Sequence, residues 1–131
     1  MEVTTSTEEE TNQINNRAYV FPGQGSQSVG MGIELFESNP IARETFEEAD
    51  DSLGFPLSRL IFEGPATDLQ NTANSQPSIM AASIAARRTW QELVGLDTAI
   101  AKAIYGPCLG ALTLLVVAHV LEFPVPVRLV S

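Results

Sequence analysis

The stretch "AIYGPCLGALTLLVV", residues 103–117, sets a cysteine between two glycines where a strand-like apolar run gives way to a helix-like one. Gly106-Pro107-Cys108-Leu109-Gly110 has the G-x-C-x-G form of a strand-turn-helix arrangement, in which small flanking residues let strand and helix approach closely while the central side chain projects. Leu109 then opens a helix, so its backbone N–H is free to donate to an oxyanion, and the helix dipole favours a thiolate at Cys108. The stretch reads two ways. Cys108 is either a nucleophile lifted out on a sharp turn or a small hydrophobe buried beside a bend, and a lone cysteine is more often the second.

A nucleophile needs a base or a lowered pKa, and the sequence holds one histidine, His119. It lies eleven residues further into the same expected helix. At about 1.5 Å rise per residue, that is roughly 16 Å along the axis, beyond hydrogen-bond reach. His119 therefore reads as a core or interface residue. Leu109–Leu121 is apolar nearly all round and must be covered on every face. The nearly apolar run from Leu109 to Ala118, broken only by Thr113, is too short to cross a bilayer core that needs about 20 residues, so no membrane span is expected.

Upstream, "RAYVF" (17–21), halted by Pro22 and Gly23, predicts a short buried strand, and "AIAKAIY" (99–105) a second. Between them, Asn39 and Pro40 read as the cap and first position of a helix that carries Ala42, Phe46, Ala49 and Leu53 and stops at Gly54. In "SQPSIMAASIAARRTWQELVG", Ser75 or Gln76 is expected to cap, Pro77 to enter, and Met80, Ile84, Trp90, Leu93 and Val94 to form the apolar stripe before Gly95. The intervening "FPLSRLIFEGPATDLQNT" predicts a short helical turn and loops. Strand, helices, strand, sharp turn, helix is the order of an α/β layer structure with a mainly parallel sheet.

The loop "FPGQGSQSVGMG" invites a phosphate-cradle reading and fails its templates. Counting from Gly25, Met31 and Gly32 stand where a P-loop needs Lys and Ser or Thr; counting from Gly23, Ser28 stands where the dinucleotide fingerprint needs glycine. Gly23 and Gly25 can still let the backbone N–H of Gln24 approach a developing negative charge.

The 131 residues suffice for one domain with a core, and 44% hydrophobic content is ordinary for a globular chain. Residues 1–16 hold four Glu, no Lys or Arg and little apolar surface, so they predict a disordered acidic tail. That tail carries −4 of the net charge of −9, leaving residues 17–131 mildly acidic. The negative sign excludes nonspecific attraction to nucleic acid or anionic lipid. A single Cys and no leader-like N-terminus predict a reducing, cytoplasmic setting. The all-round apolar helix, and a sequence stopping at "VPVRLVS" without a cap, predict the first part of a larger domain.

In order and spacing, "AYVFPGQGSQSVGMG", "FEEADDSLGFPLSRLIFEGP", "NSQPSIMAASIA" and "GPCLGALTLLVVAHVLEF...VRLV" resemble the N-terminal part of the malonyl-CoA:acyl carrier protein transacylase family, over about residues 17–131. The resemblance implies a three-layer α/β-hydrolase-like acyltransferase domain, truncated before a small ferredoxin-like subdomain. It implies transfer of an acyl group from a CoA thioester to the phosphopantetheine thiol of acyl carrier protein through a covalent acyl-enzyme. Malonyl-CoA and acyl carrier protein are the implied partners; the CoA thioester enters as substrate, and no cofactor or metal is expected. Cys108 takes the nucleophilic Ser position, and the backbone amides of Gln24 and Leu109 take the oxyanion hole.

The family's G-H-S-x-G-E pattern is altered three times, with Pro107 for His, Cys108 for Ser and Ala111 for Glu. The family's carboxylate-gripping Arg falls just past Ser131, with Arg128 too early to be it, and the catalytic His is missing. The chain alone is accordingly expected to be inactive or severely impaired. Two further readings stay open: a noncatalytic fragment or interaction module that docks through its apolar C-terminal helix on a complementing C-terminal half, and a different Cys enzyme that recruits its base elsewhere.

Overall fold

The structure, a computed structural model, describes residues 18–20, 22–23, 25–95 and 103–105. Two strands, β1 (Ala18–Val20) and β2 (Ala103–Tyr105), pair in parallel with Ala18 opposite Ala103, Tyr19 opposite Ile104 and Val20 opposite Tyr105. Parallel neighbours need a crossover of a dozen residues or more. Among the described residues it contains five helices: α1 (Ile33–Ser38), α2 (Pro40–Leu53), α3 (Leu57–Glu63), α4 (Ala66–Gln70) and α5 (Thr72–Val94). Over the described residues the strand, helices, strand order and the parallel pairing expected from the sequence are present; the sharp turn and final helix expected after β2 lie outside them.

Local chemistry sets the helix bounds. The Asn39 carboxamide oxygen accepts from the N–H groups of Ile41 (2.9 Å) and Ala42 (3.4 Å), Pro40 occupies the first turn, and Gly54 ends α2 at φ 72°. The N-terminus of α3 has no cap of its own; the Asp50 carboxylate on α2 accepts from the Ser58 N–H (2.8 Å) and hydroxyl (2.6 Å), joining the two helices.

Two expectations need correction. First, α5 starts at Thr72, not at Pro77, because Asn71 caps it: the Asn71 side chain accepts from the Ala73 N–H (3.2 Å), and its carbonyl accepts from those of Asn74 and Ser75. Pro77 therefore lies inside the helix, fully buried. Leu93 is 75% exposed rather than part of the buried stripe. At about 100° per residue it sits half a revolution from the buried Ile84. Second, the segment between α2 and α5 holds two helices rather than one turn with loops. α1 has no sequence signal at its start, where Gly32 offers no side-chain cap.

The core lies between α2 and α5. Ala42, Phe46 and Ala49 meet Met80, Ala81, Ile84 and Ala85, all fully buried, with Leu57 and Ile61 of α3 beneath. Phe36, Phe46 and Phe62, from α1, α2 and α3, form an aromatic triad with ring centroids 5.0–6.0 Å apart. At its margin Arg88 Nη1 donates to Thr45 Oγ1 and Glu48 Oε2, each at 3.1 Å.

Candidate active site at the strand ends

The loop after β1 is built by glycine and hydroxyl chemistry. The Gly23 carbonyl accepts from the Ser26 N–H (3.3 Å) and hydroxyl (2.6 Å), closing a four-residue turn, and Gly25 takes φ 97°, a value L side chains rarely adopt. The Gly25 N–H donates to Gln27 Oε1 at 2.9 Å. The amides of Gly25 and Ser26 are thus already engaged within the turn.

Downstream, the same loop is anchored to the helical core. The Gly30 N–H donates to the Ile61 carbonyl at 2.7 Å. A Cβ on Gly32 would stand 3.0 Å from Phe46 Cζ, so the loop passes against the aromatic triad at a point where only hydrogen fits without displacement. The glycines that suggested a phosphate cradle therefore have two other tasks: Gly25 shapes the turn, and Gly30 and Gly32 attach the loop to α3 and α2.

β2 ends at Tyr105, paired with Val20, so the chain leaves both strands at the same end of the sheet. In open α/β sheets, ligands bind outside the carboxyl ends of the strands. Beside this end lies a cavity of about 450 Å³, walled by Val20, Pro22 and Ser26 on one side and by Ile79, Arg87 and Trp90 of α5 on the other. Arg87 is 8% exposed there, a feature the sequence reading did not single out. A second hollow of about 500 Å³ lies among Phe55, Arg59, Asp68 and Asn74. Arg59 is held there by Glu63 at 3.0 Å, and none of these four residues is a cysteine, serine or histidine.

Gln24, Cys108, Leu109, Ala111 and His119 lie outside the described residues, as do the tail at 1–16 and the helix expected over Leu109–Leu121. What the structure places is the frame on either side of them: the turn around position 24 and the strand that leads to Gly106. Among the described residues, no group of three or more His, Cys, Asp or Glu gathers to hold a metal, and no helix is long and apolar enough to cross a membrane.

A parallel strand pair with a glycine-shaped turn at the carboxyl end of one strand, and a G-x-C-x-G sequence following the other, belongs to the α/β layer class of folds. The chain belongs to the acyl transferase domain family, whose model matches residues 18–122. It is 46% identical over 114 residues to the malonyl CoA-acyl carrier protein transacylase of Salmonella typhimurium, covering 87% of this chain and 36% of that protein. Among solved structures, the acyl-carrier-protein S-malonyltransferase of Bartonella henselae matches with a TM-score of 0.83 and 43% identity, over 88% of this chain and 37% of that one. A malonyl-transacylase in complex with a type II polyketide acyl carrier protein matches with a TM-score of 0.81 and 42% identity, over 88% and 36%. The acyltransferase fold is shared with these proteins, and the chain spans about 36% of the length of the curated relatives it matches.

Proposed function

We propose that this chain is the nucleophile-bearing, N-terminal portion of a malonyl-CoA:acyl carrier protein S-malonyltransferase-type domain. It would serve fatty acid or polyketide synthesis with malonyl-CoA and acyl carrier protein as partners, in the cytoplasm. The observation that supports the reading is the parallel pairing of Val20 with Tyr105, which sets side by side the last described strand residues before Gln24 and before Cys108. Neighbouring strands lie about 4.8 Å apart. Cys108 is three residues beyond Tyr105, and Gln24 four beyond Val20. At no more than about 3.6 Å per residue, Cys108 lies within about 11 Å of Tyr105 and Gln24 within about 14 Å of Val20, reaches that allow the two to meet.

The chemistry runs in two steps. Cys108 Sγ attacks the thioester carbonyl, a new C–S bond forms, and the bond to the CoA sulfur breaks as CoA thiolate leaves. The phosphopantetheine thiol of the carrier then attacks the acyl-Cys108 carbonyl and releases the Cys108 thiolate. Each tetrahedral intermediate would place its oxyanion toward the backbone N–H groups of Gln24 and Leu109. The prior engagement of the Gly25 and Ser26 amides supports Gln24 as the donor from this loop. Exchange between thioesters is close to thermoneutral, and a thiolate needs less help from a base than a Ser hydroxyl does.

Within this reading residues 17–131 form the first part of a three-layer α/β-hydrolase-like domain ahead of its ferredoxin-like subdomain, and residues 1–16 are a solvating tail. The 131 residues assign no group to move the proton or to neutralise the acyl carboxylate, so on their own they are inactive or severely impaired in transfer to carrier protein, while slow acylation of Cys108 by a CoA thioester stays within reach of a thiolate. The test is restoration. Pro107→His, Cys108→Ser and Ala111→Glu, in a chain completed with the C-terminal portion of the Salmonella relative, should regain malonyl transfer to carrier protein. Continued silence from a folded hybrid would favour a noncatalytic docking module instead.

A further inference from the structure

One residue holds the Gly23 carbonyl twice. The oxygen accepts the Ser26 hydroxyl at 2.6 Å and the Ser26 N–H at 3.3 Å. The second bond is at the long limit of N–H···O geometry and the first is short, so the hydroxyl is the stronger hold. A carbonyl oxygen has two lone pairs, and Ser26 supplies a donor for both. Gly25 stands at the third position of the same turn with φ 97°, near the value a type II turn requires there, and its N–H is taken by Gln27 Oε1 at 2.9 Å. Ser26 is exposed, yet its side chain turns back onto Gly23. An exposed hydroxyl can exchange such a bond for one to water at little cost, so what this bond does for folding is small. What it does for the orientation of one peptide is larger.

We infer that Ser26 is a positioning residue for the oxyanion donor: its hydroxyl fixes the plane of the peptide that follows Gly23 and so aims the N–H of that peptide. The reaction it serves rests on the acyl-transfer reading above. A trans peptide is planar, with its oxygen and its amide hydrogen on opposite sides of the C–N bond. Holding the Gly23 oxygen inside the turn therefore directs the N–H that shares its plane away from Ser26, and the direction is set before any thioester arrives. A donor fixed in advance needs no reorganisation as charge develops on the attacked carbonyl. The bonds accepted by the Gly23 oxygen also polarise the peptide, which strengthens its N–H as a donor. With the Gly25 and Ser26 amides engaged inside the turn, this N–H is the one the turn directs outward.

Single-turnover acylation of Cys108 by malonyl-CoA, followed by intact mass in the full chain, tests this. Ser26→Ala should lower the saturating rate about tenfold, less than the roughly 10²–10³-fold that loss of a whole oxyanion donor costs, and leave the half-saturating malonyl-CoA concentration unchanged. Ser26→Thr, which keeps the hydroxyl, should restore the rate. Alkylation of Cys108 by iodoacetamide is the control: displacement of iodide at a saturated carbon forms no oxyanion, so it should run equally in all three chains. Equal acylation of Ser26→Ala and the parent, or a parallel loss of acylation and alkylation, would overturn the inference. A parent chain that is alkylated but never acylated would refute the acyl-transfer reading, and amide hydrogen exchange would then decide the orientation of the peptide by itself. The Gly25 and Ser26 amides should exchange more slowly than that of Gln24, and Ser26→Ala should speed exchange at residue 26 several-fold. Exchange as fast at Gly25 and Ser26 as at Gln24, or unaltered at residue 26 in Ser26→Ala, would overturn it.

Discussion

Gly32 and Gly54 share a positive φ, 77° and 72°, but not their surroundings. Nothing lies within 4 Å of a Cβ added at Gly54, whereas one at Gly32 meets the Phe46 ring at 3.0 Å. Gly54→Ala should therefore cost only the left-handed penalty of about 1–2 kcal/mol. Gly32→Ala should cost a further 1–3 kcal/mol or so from overpacking. Urea midpoints of the two variants measure the difference directly, and equal losses would mean that the loop is not pressed against the aromatic triad. At the cap of α2, Asn39→Ala should lose about 1 kcal/mol, while Asn39→Asp, which keeps an acceptor for the Ile41 and Ala42 amides, should lose little.

At the scale of elements, α2 and α5 are held together by packing more than by charge. The Arg88–Glu48 pair is 28% and 42% exposed, so Arg88→Met should cost under about 1 kcal/mol, and added salt should shift the wild-type midpoint little. Phe46→Ala, which empties the centre of the triad, should cost about 3–5 kcal/mol. A larger loss from Arg88→Met than from Phe46→Ala, in parallel urea titrations, would invert this picture. The same contrast explains what was legible in the sequence. α2 was readable end to end because cap, proline and glycine are all local signals. The start of α5 was not legible because Ser75 or Gln76 before Pro77 makes a complete local start signal, whereas the helix begins one turn earlier, where the Asn71 side chain accepts from the Ala73 N–H. α1, α3 and α4 are too short to show a period, and their ends are set by tertiary partners: Asp50 for α3, and the Phe46 contact for the turn into α1. Of the candidate site, the motif and the turn glycines were legible. The Gly30 bond to Ile61 and the buried Arg87 were not, because neither has a signature along the chain.

For the whole molecule, function depends on an arrangement that residues 18–105 begin. The crossover returns β2 to β1 in parallel, so Val20 and Tyr105, the strand residues that precede Gln24 and Cys108 in the sequence, stand side by side at one end of the sheet. With a net charge of −9, the chain should associate with neither nucleic acid nor anionic vesicles at physiological salt, which sedimentation with each would check. The most direct test of the central claim is intact-mass and peptide analysis after incubation with malonyl-CoA. The account predicts one malonyl group on the peptide that contains Cys108, removed by hydroxylamine and absent from Cys108→Ala. No adduct, or an adduct that persists in Cys108→Ala, would contradict it.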